Sequence, residues 1–264
     1  MMTRTKTVLL EVKDFSMTLK QSGRTINIIR SLDLTVHKQE MVAIIGASGA
    51  GKSILADAII GLLPRNAVIE GKMEFRGQPL TEKLQANLRG REIILIPQMT
   101  NALNPLITVG KQVGLTVGRV NKKKRLKEIF QQVGLSETVM AQYPHELSGG
   151  MLQKVFLAIA LASQAQLIIA DEPTKGLDKE AVNAALGHLR QLADAGRGIV
   201  LITHDIQAAV KFADTIVVYY GGKTIEVTEA ANFSGNGDKL KHPYTRALWN
   251  ALPENGFIPD NPMV

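Results

Sequence analysis

An α/β fold built on a mainly parallel core sheet is the fold class this sequence predicts. Four short apolar runs, Met41 to Ile45, Ile93 to Ile96, Leu167 to Ala170 and Ile199 to Thr203, have the length and continuity of strands buried on both faces. Stretches with helical spacing of apolar residues lie between them. The chain has 264 residues, 45% hydrophobic and 21% charged, an ordinary globular balance and enough length to bury a sizeable core.

In chain order, Val8 to Val12 and Leu32 to Val36 read as strands joined through a polar turn around Gln21 to Arg24, so a small antiparallel sheet is expected first. Met41 to Ile45 runs directly into Gly46, Gly49 and Gly51, after which Ile54 to Leu63 reads as helix. About Leu106 to Tyr143 is expected to be helical, with Lys122, Lys123, Lys124, Arg125 and Lys127 forming a solvated basic face. From Lys179 to Ala195, Val182, Leu186, Leu189 and Ala193 recur at three- and four-residue steps and Gly196 supplies a stop, the pattern of an amphipathic helix. From Phe233 onward Gly, Asn and Pro increase, and a loosely held tail is expected. There is no internal repeat and no low-complexity segment.

Composition excludes some chemistry. The chain has no cysteine, which removes disulfides, thiolate zinc sites and iron–sulfur clusters. No apolar run reaches the ~18 residues of a membrane span, and Met1 to Lys6 lacks the apolar stretch of a signal peptide, so neither a spanning nor a secreted chain is expected. The 31 Lys and Arg against 24 Asp and Glu give +7, which suits nucleotide, nucleic acid or an anionic membrane face alike.

The glycine segment carries the strongest signal. Gly46-Ala47-Ser48-Gly49-Ala50-Gly51-Lys52-Ser53 fits GxxxxGKS, in which glycines let successive N–H groups turn inward around phosphates at a helix start. Lys52 is placed to reach the β- and γ-phosphate oxygens, and the Ser53 hydroxyl to enter an octahedral Mg²⁺ shell. Leu167-Ile168-Ile169-Ala170-Asp171-Glu172 is a buried strand ending in two acids that leave it in different directions. Asp171 can hold a Mg²⁺-bound water and Glu172 can polarise the attacking water, although paired acids at a strand end also serve as helix caps. Leu147-Ser148-Gly149-Gly150-Met151 opens another helix, since Leu152, Val155, Phe156 and Ile159 follow at helical spacing, and so forms a second anion-binding helix start. Two such starts with one lysine-bearing loop make sense if Ser148, Gly149 and Gly150 serve the nucleotide of another subunit.

With these motifs in this order, from about Val8 to Ala231, the sequence resembles the ATP-binding cassette ATPases, whose signature is LSGG and whose two subunits sandwich two ATP molecules. The resemblance implies a P-loop cassette with an antiparallel N-terminal subdomain and an inserted helical subdomain at about 100–160. It implies that Gln98 is the glutamine touching Mg²⁺ and the attacking water, that His204 contacts the γ-phosphate, and that Asp178 meets the opposing subunit; Asp178 also suits the N-cap of the next helix. The position of the family's adenine-stacking aromatic is occupied by Leu19, with Phe15 pointing elsewhere, and Lys175-Gly176 departs from the commoner small or polar residues there.

Gln98 to Gln112, with Leu103-Asn104-Pro105 and Thr108-Val109-Gly110-Lys111-Gln112, resembles the peptide/nickel importer branch, as does His242-Pro243-Tyr244-Thr245-Arg246-Ala247-Leu248. That branch implies an ATPase unit over 1–231 with an appendage over 232–264. It implies ATP and Mg²⁺, a second cassette ATPase, two transmembrane permeases and an extracytoplasmic binding protein. The cargo would be oligopeptide, dipeptide, nickel or a metal chelate, and the location peripheral on the cytoplasmic face of the membrane. The main rival is a cassette ATPase acting on nucleic acid or the ribosome. Such proteins usually carry two cassettes, coiled-coil or zinc-binding insertions, none of which occurs here, and no nucleic acid partner is expected.

Overall fold

The computed structural model describes residues 7–21, 24–46, 51–98, 102–118 and 120–255. Among these, ten strands form one curled sheet in the order β5-β4-β1-β2-β10-β9-β3-β8-β7-β6. The strands are β1 (Val8–Gln21), β2 (Arg24–His37), β3 (Glu40–Gly46), β4 (Ala67–Phe75), β5 (Gln78–Pro79), β6 (Ile93–Ile96), β7 (Leu167–Asp171), β8 (Gly198–Ile202), β9 (Thr215–Tyr220) and β10 (Lys223–Glu229). β9, β3, β8, β7 and β6 are parallel neighbours, whereas β1 pairs antiparallel with β2 and β4.

The four apolar runs are the parallel strands expected, three of them interior and β6 at the sheet's edge, and their alternation explains why they are apolar throughout. Met41, Ala43 and Ile45 of β3 enter one core, and Val42 and Ile44 enter the other on the opposite face. The first core is closed by α3 (Val109–Thr116), α4 (Lys122–Gln132), α5 (Gly149–Ala162), α6 (Lys179–Asp194) and α7 (Ile206–Phe212). The second is closed by α1 (Lys52–Ile60), α2 (Glu82–Leu88) and the antiparallel strands.

The antiparallel hairpin is much longer than its legible part. Val12, Phe15 and Met17 are all buried, a three-residue step followed by a two-residue step, because the register shifts between Val12 and Phe15. Asp14 sits at φ 47° in that bulge and its N–H donates to Asp33 Oδ1 at 2.9 Å. The helical stretch expected from Leu106 to Tyr143 is divided into α3, α4 and a 3-10 turn at Glu137–Ala141. β4, β5, β9 and β10 go beyond the strands read from the sequence.

The tail corrects the expectation of a loosely held segment, as far as Asn255. Phe233 and Leu240 are buried in the first core, and α8 (Pro243–Asn250) follows them. His242 Nδ1 accepts from Tyr244 N–H at 3.1 Å to cap α8, Pro243 opens it, Tyr244 stacks on Tyr220 with centroids 4.1 Å apart, and Thr245 is fully buried. Buried Glu226 of β10 accepts from Lys241 N–H at 2.8 Å and His242 N–H at 3.0 Å. Among the described residues, Gly235 and Gly237 lie in turns at positive φ, and Pro243 and Pro253 open helical turns. Among the described residues no helix is long and apolar enough to cross a membrane.

Candidate nucleotide site

The parallel strands all end on one side of the sheet, and that side collects the chemistry. Gly46 ends β3, Gln98 lies two residues beyond β6, Asp171 ends β7 and His204 lies two residues beyond β8. Asp171 is opposite Ile202 in register, so the acids and the histidine reach the same edge from adjacent strands.

Gly51, Lys52, Ser53, Gln98, Asp171 and Glu172 line one cavity of about 240 Å³, together with Ile54 and Ile202. His204 joins it through a hydrogen bond from Nδ1 to Glu172 Oε2 at 2.8 Å. Ala47, Ser48, Gly49 and Ala50, assigned to phosphate binding from the sequence, lie outside the described residues. Helix α1 begins after Gly51, at φ 92°, with no side-chain cap, which leaves its first N–H groups to an anion. Gly46 is constrained from another side: a Cβ there would come within 2.0 Å of Tyr219 O, so only hydrogen fits. Lys52 Nζ donates to Gly46 O at 2.8 Å.

The electrostatics are those of a site built around charge. Burial holds the Lys52 ammonium below its usual pKa, against the opposing pull of Glu172 and Asp171. Burial raises the Asp171 carboxyl, as do Glu172 and Asp57, while the Ser53 hydroxyl and Lys52 work in the other direction. Asp171 Oδ1 is buried without a hydrogen-bond partner among the described residues. A hydroxyl, a carboxylate and an amide oxygen around an orphaned buried oxygen fit a hard divalent cation that completes its shell with phosphate oxygens and water. Among the described residues no three His, Cys, Asp or Glu side chains form a metal cage of their own, so that fit depends on the phosphates.

Glu172 occupies a left-handed backbone conformation, φ 48°, that is uncommon for a non-glycine residue. Its N–H donates to Ile202 O at 2.9 Å, which locks the turn and turns its side chain toward His204. Thr203 Oγ1 accepts from Asp205 N–H at 3.0 Å, and Asp205 caps α7 through Ala208 N–H at 2.9 Å, so His204 is held between two short-range bonds. Thr203 enters the sequence reading only as the end of an apolar strand, and Asp57 does not enter it. Asp57 was readable in principle, because it lies one helical turn after Ser53 on α1.

The remaining predicted residues lie elsewhere in the chain. Ser148 and Gly149 are exposed at the start of α5, and Ser148 Oγ accepts from Met151 N–H at 3.3 Å. They do not line the cavity of Lys52 in the same chain. Asp178 is the N-cap of α6, accepting from Ala181 N–H at 2.8 Å, and it too is exposed. Leu19 is half-buried opposite Ile26 and Ala67, and Phe15, 1% exposed, belongs to the core.

Known proteins resemble this chain in sequence and in fold. Residues 29–175 match the family model described as ABC transporter. The oligopeptide transport ATP-binding protein OppD of Bacillus subtilis (strain 168) is 38% identical over 267 residues, spanning 94% of this chain and 72% of that protein. The dipeptide transport ATP-binding protein DppD of Escherichia coli (strain K12) is 36% identical over 262 residues, spanning 93% and 79%. Among solved structures, a dimeric post-hydrolysis state of the ATP-binding cassette MJ0796 bound to ADP and Pi superimposes with a TM-score of 0.75 at 28% identity, covering 84% of this chain and 99% of that one.

Proposed function

The chain belongs to the ABC transporter family, and from that premise we propose that it is the ATP-hydrolysing subunit of a peptide importer. The reading rests most heavily on one observation: Lys52, Ser53, Gln98, Asp171 and Glu172 share a single cavity, with His204 hydrogen-bonded to Glu172. Relatives named as oligopeptide and dipeptide transport ATP-binding proteins support the cargo class.

In the proposed reaction the first N–H groups of α1 and the Lys52 ammonium hold the phosphates, and Glu172 accepts hydrogen from the water that attacks the terminal phosphorus. His204 orients the Glu172 carboxylate. Ser53, Asp171 and Gln98 are the residues that would hold Mg²⁺, which when bound neutralises charge on the phosphate oxygens. Ser148, Gly149 and Gly150 of a second cassette subunit complete the site, since Ser148 and Gly149 are exposed and none of the three lines the chain's own cavity. The dimeric cassette of similar fold supports this arrangement. Loss of the γ-phosphate removes the contact that joins the two faces, and the pair reopens.

We assign residues 1–231 to the ATPase unit, with the helical subdomain inserted at about 100–160, and 232–264 to an appendage, of which Phe233 and Leu240 are buried in the first core. Two permeases and an extracytoplasmic binding protein are the proposed partners, and the cytoplasmic face of the membrane the proposed location. The test is uptake of a labelled short peptide by cells lacking this chain. Wild type restores ATP-dependent uptake and Glu172→Gln does not; uptake unaffected by the deletion would sink the importer reading.

A further inference from the structure

A second cavity, of about 210 Å³, lies between α4, α5, α6 and the ends of β6 and β7, and shares no lining residue with the nucleotide cavity. Its walls are the immediate neighbours of the site residues. Ile96 precedes Gln98 by two positions, Pro173 follows Glu172, Leu177 precedes Asp178, and Gln153 and Leu157 stand on α5, which begins at Gly149. A Cβ on Gly150 would touch Leu177 Cδ2 at 3.3 Å, so α5 and this wall are already in close contact.

The lining is mostly aliphatic, yet two buried acceptors within it have no donor among the described residues. One is Oε1 of Gln153, a residue 5% exposed. The other is Nδ1 of His188. His188 Nε2 lies 2.9 Å from Gln132 O, and a carbonyl oxygen only accepts, so the ring proton sits on Nε2 and leaves Nδ1 a bare acceptor. Lys154 Nζ donates to Gly134 O at 3.4 Å along the same rim. Aliphatic walls with two unmet acceptors define a ligand that is apolar over most of its surface and carries at least one donor. A dry aliphatic cavity of roughly 150 Å³ takes benzene, so a fused two-ring molecule suits this one.

We propose that this cavity binds a small flat heterocycle bearing an N–H or O–H donor, and that its occupancy is coupled to the nucleotide site. The donor bonds Gln153 Oε1 or His188 Nδ1, and the rings fill the space between Leu157, Pro173 and Leu177. A seated molecule wedges α5 against the segments that carry Glu172 and Asp178, so the chain's preference for nucleotide changes with occupancy. Binding stands independently of the proposed function; the coupling rests on that reading of the nucleotide site.

The test uses the full chain and two probes of one shape, indole and benzofuran, the second lacking a donor, titrated by calorimetry and ligand-observed NMR. Indole is expected to bind saturably at one site and benzofuran about tenfold more weakly, the cost of one unmet hydrogen bond. At least one of Gln153→Leu and His188→Phe should weaken indole and leave benzofuran unchanged. Filling the cavity with Leu157→Trp should abolish binding of both. Because Leu157 is buried, Ala181→Phe at the half-buried rim is the second filling variant, with thermal unfolding and binding of a fluorescent ATP analogue as checks of folding. A non-hydrolysable ATP analogue should change the indole Kd at least about fivefold, and indole should change the analogue's Kd by the same factor. No saturable binding, equal binding of the two probes, or binding retained by both filled variants would overturn the site. Indole affinity indifferent to nucleotide, in a chain that binds the analogue, would overturn the coupling alone.

Discussion

His204 Nδ1 lies 2.8 Å from Glu172 Oε2, a hydrogen bond that spans 32 residues of chain and joins the ends of two adjacent parallel strands. The carboxylate is nearly buried and the imidazole is 62% exposed, so the acid is fixed in place while the histidine presents its remaining edge outward. An acid held in this way points at a definite spot in the cavity, which is the condition for positioning a water.

Replacing that acid separates binding from turnover. Glu172→Gln is expected to bind ATP as wild type does and to lower phosphate release by about 10²- to 10⁴-fold. His204→Ala should lower turnover with little change in nucleotide affinity. Unaltered phosphate release by Glu172→Gln would remove it from the catalytic role.

Burial makes Asp171 a stability liability in the chain without nucleotide. Its folded pKa is raised above the unfolded value, so its contribution is favourable below the unfolded pKa and is lost as pH rises through the folded one. Asp171→Asn is therefore expected to raise the unfolding temperature of the nucleotide-free chain at pH 7 while removing Mg²⁺-dependent turnover. Thermal scans at pH 3, below the unfolded carboxylate's pKa of roughly 3.9, and at pH 7 check the sign: the gain should be larger at pH 7.

Gly46→Ala would place a methyl group 2.0 Å from Tyr219 O, between two strands that cannot separate without breaking their ladder. A loss of about 2 kcal/mol or more is expected in denaturant unfolding. An alanine variant as stable as wild type would show that the β3–β9 contact has room for a methyl group.

Glu226 secures the tail in a pH-dependent way. Burial raises its carboxyl, but the hydrogen bonds from Lys241 N–H and His242 N–H outweigh burial and bring it below the usual range. Its stabilisation is complete above the unfolded carboxylate's pKa of roughly 4.3 and is lost as pH falls through the lowered folded value. Glu226→Gln should flatten that part of the acid unfolding curve and expose the 232–255 segment to limited proteolysis at neutral pH.

Leu19 offers a gain-of-affinity test. Ile28 Cγ2 approaches to 3.4 Å of where a Gly51 Cβ would lie, and Ile26, on the same face of β2, pairs with Leu19, so an aliphatic strip leads away from the phosphate loop. Leu19→Tyr is expected to tighten ATP binding by about 1 kcal/mol through ring stacking. Titration with a fluorescent analogue reads it, and unchanged affinity would place the base elsewhere.

Local chemistry made much of this protein legible. Gly46, Gly51, Lys52 and Ser53 announce themselves because phosphate binding needs glycines, a lysine and a hydroxyl at fixed spacing on one turn. β7 and its two acids are legible because a strand buried on both faces has no polar residue until it ends. The bulge at Asp14 concealed the rest of β1, since one extra residue reverses the alternation by which a strand is recognised. The tail misled for a related reason: its glycines and prolines imply turns, and composition does not show that Glu226 and Tyr220, far along the chain, hold the segment between those turns.

The sequence by itself determined the parallel α/β core, the phosphate loop, the acid pair and the serine-glycine helix start, all features written within a few consecutive residues. Only the tertiary structure decided that Gln98 and Glu172 share a cavity, that His204 bonds Glu172, and that Ser148 is not among the residues lining that cavity. Those relations depend on strand order and crossover, and strand order is set by how the two cores close rather than by any local pattern of residues.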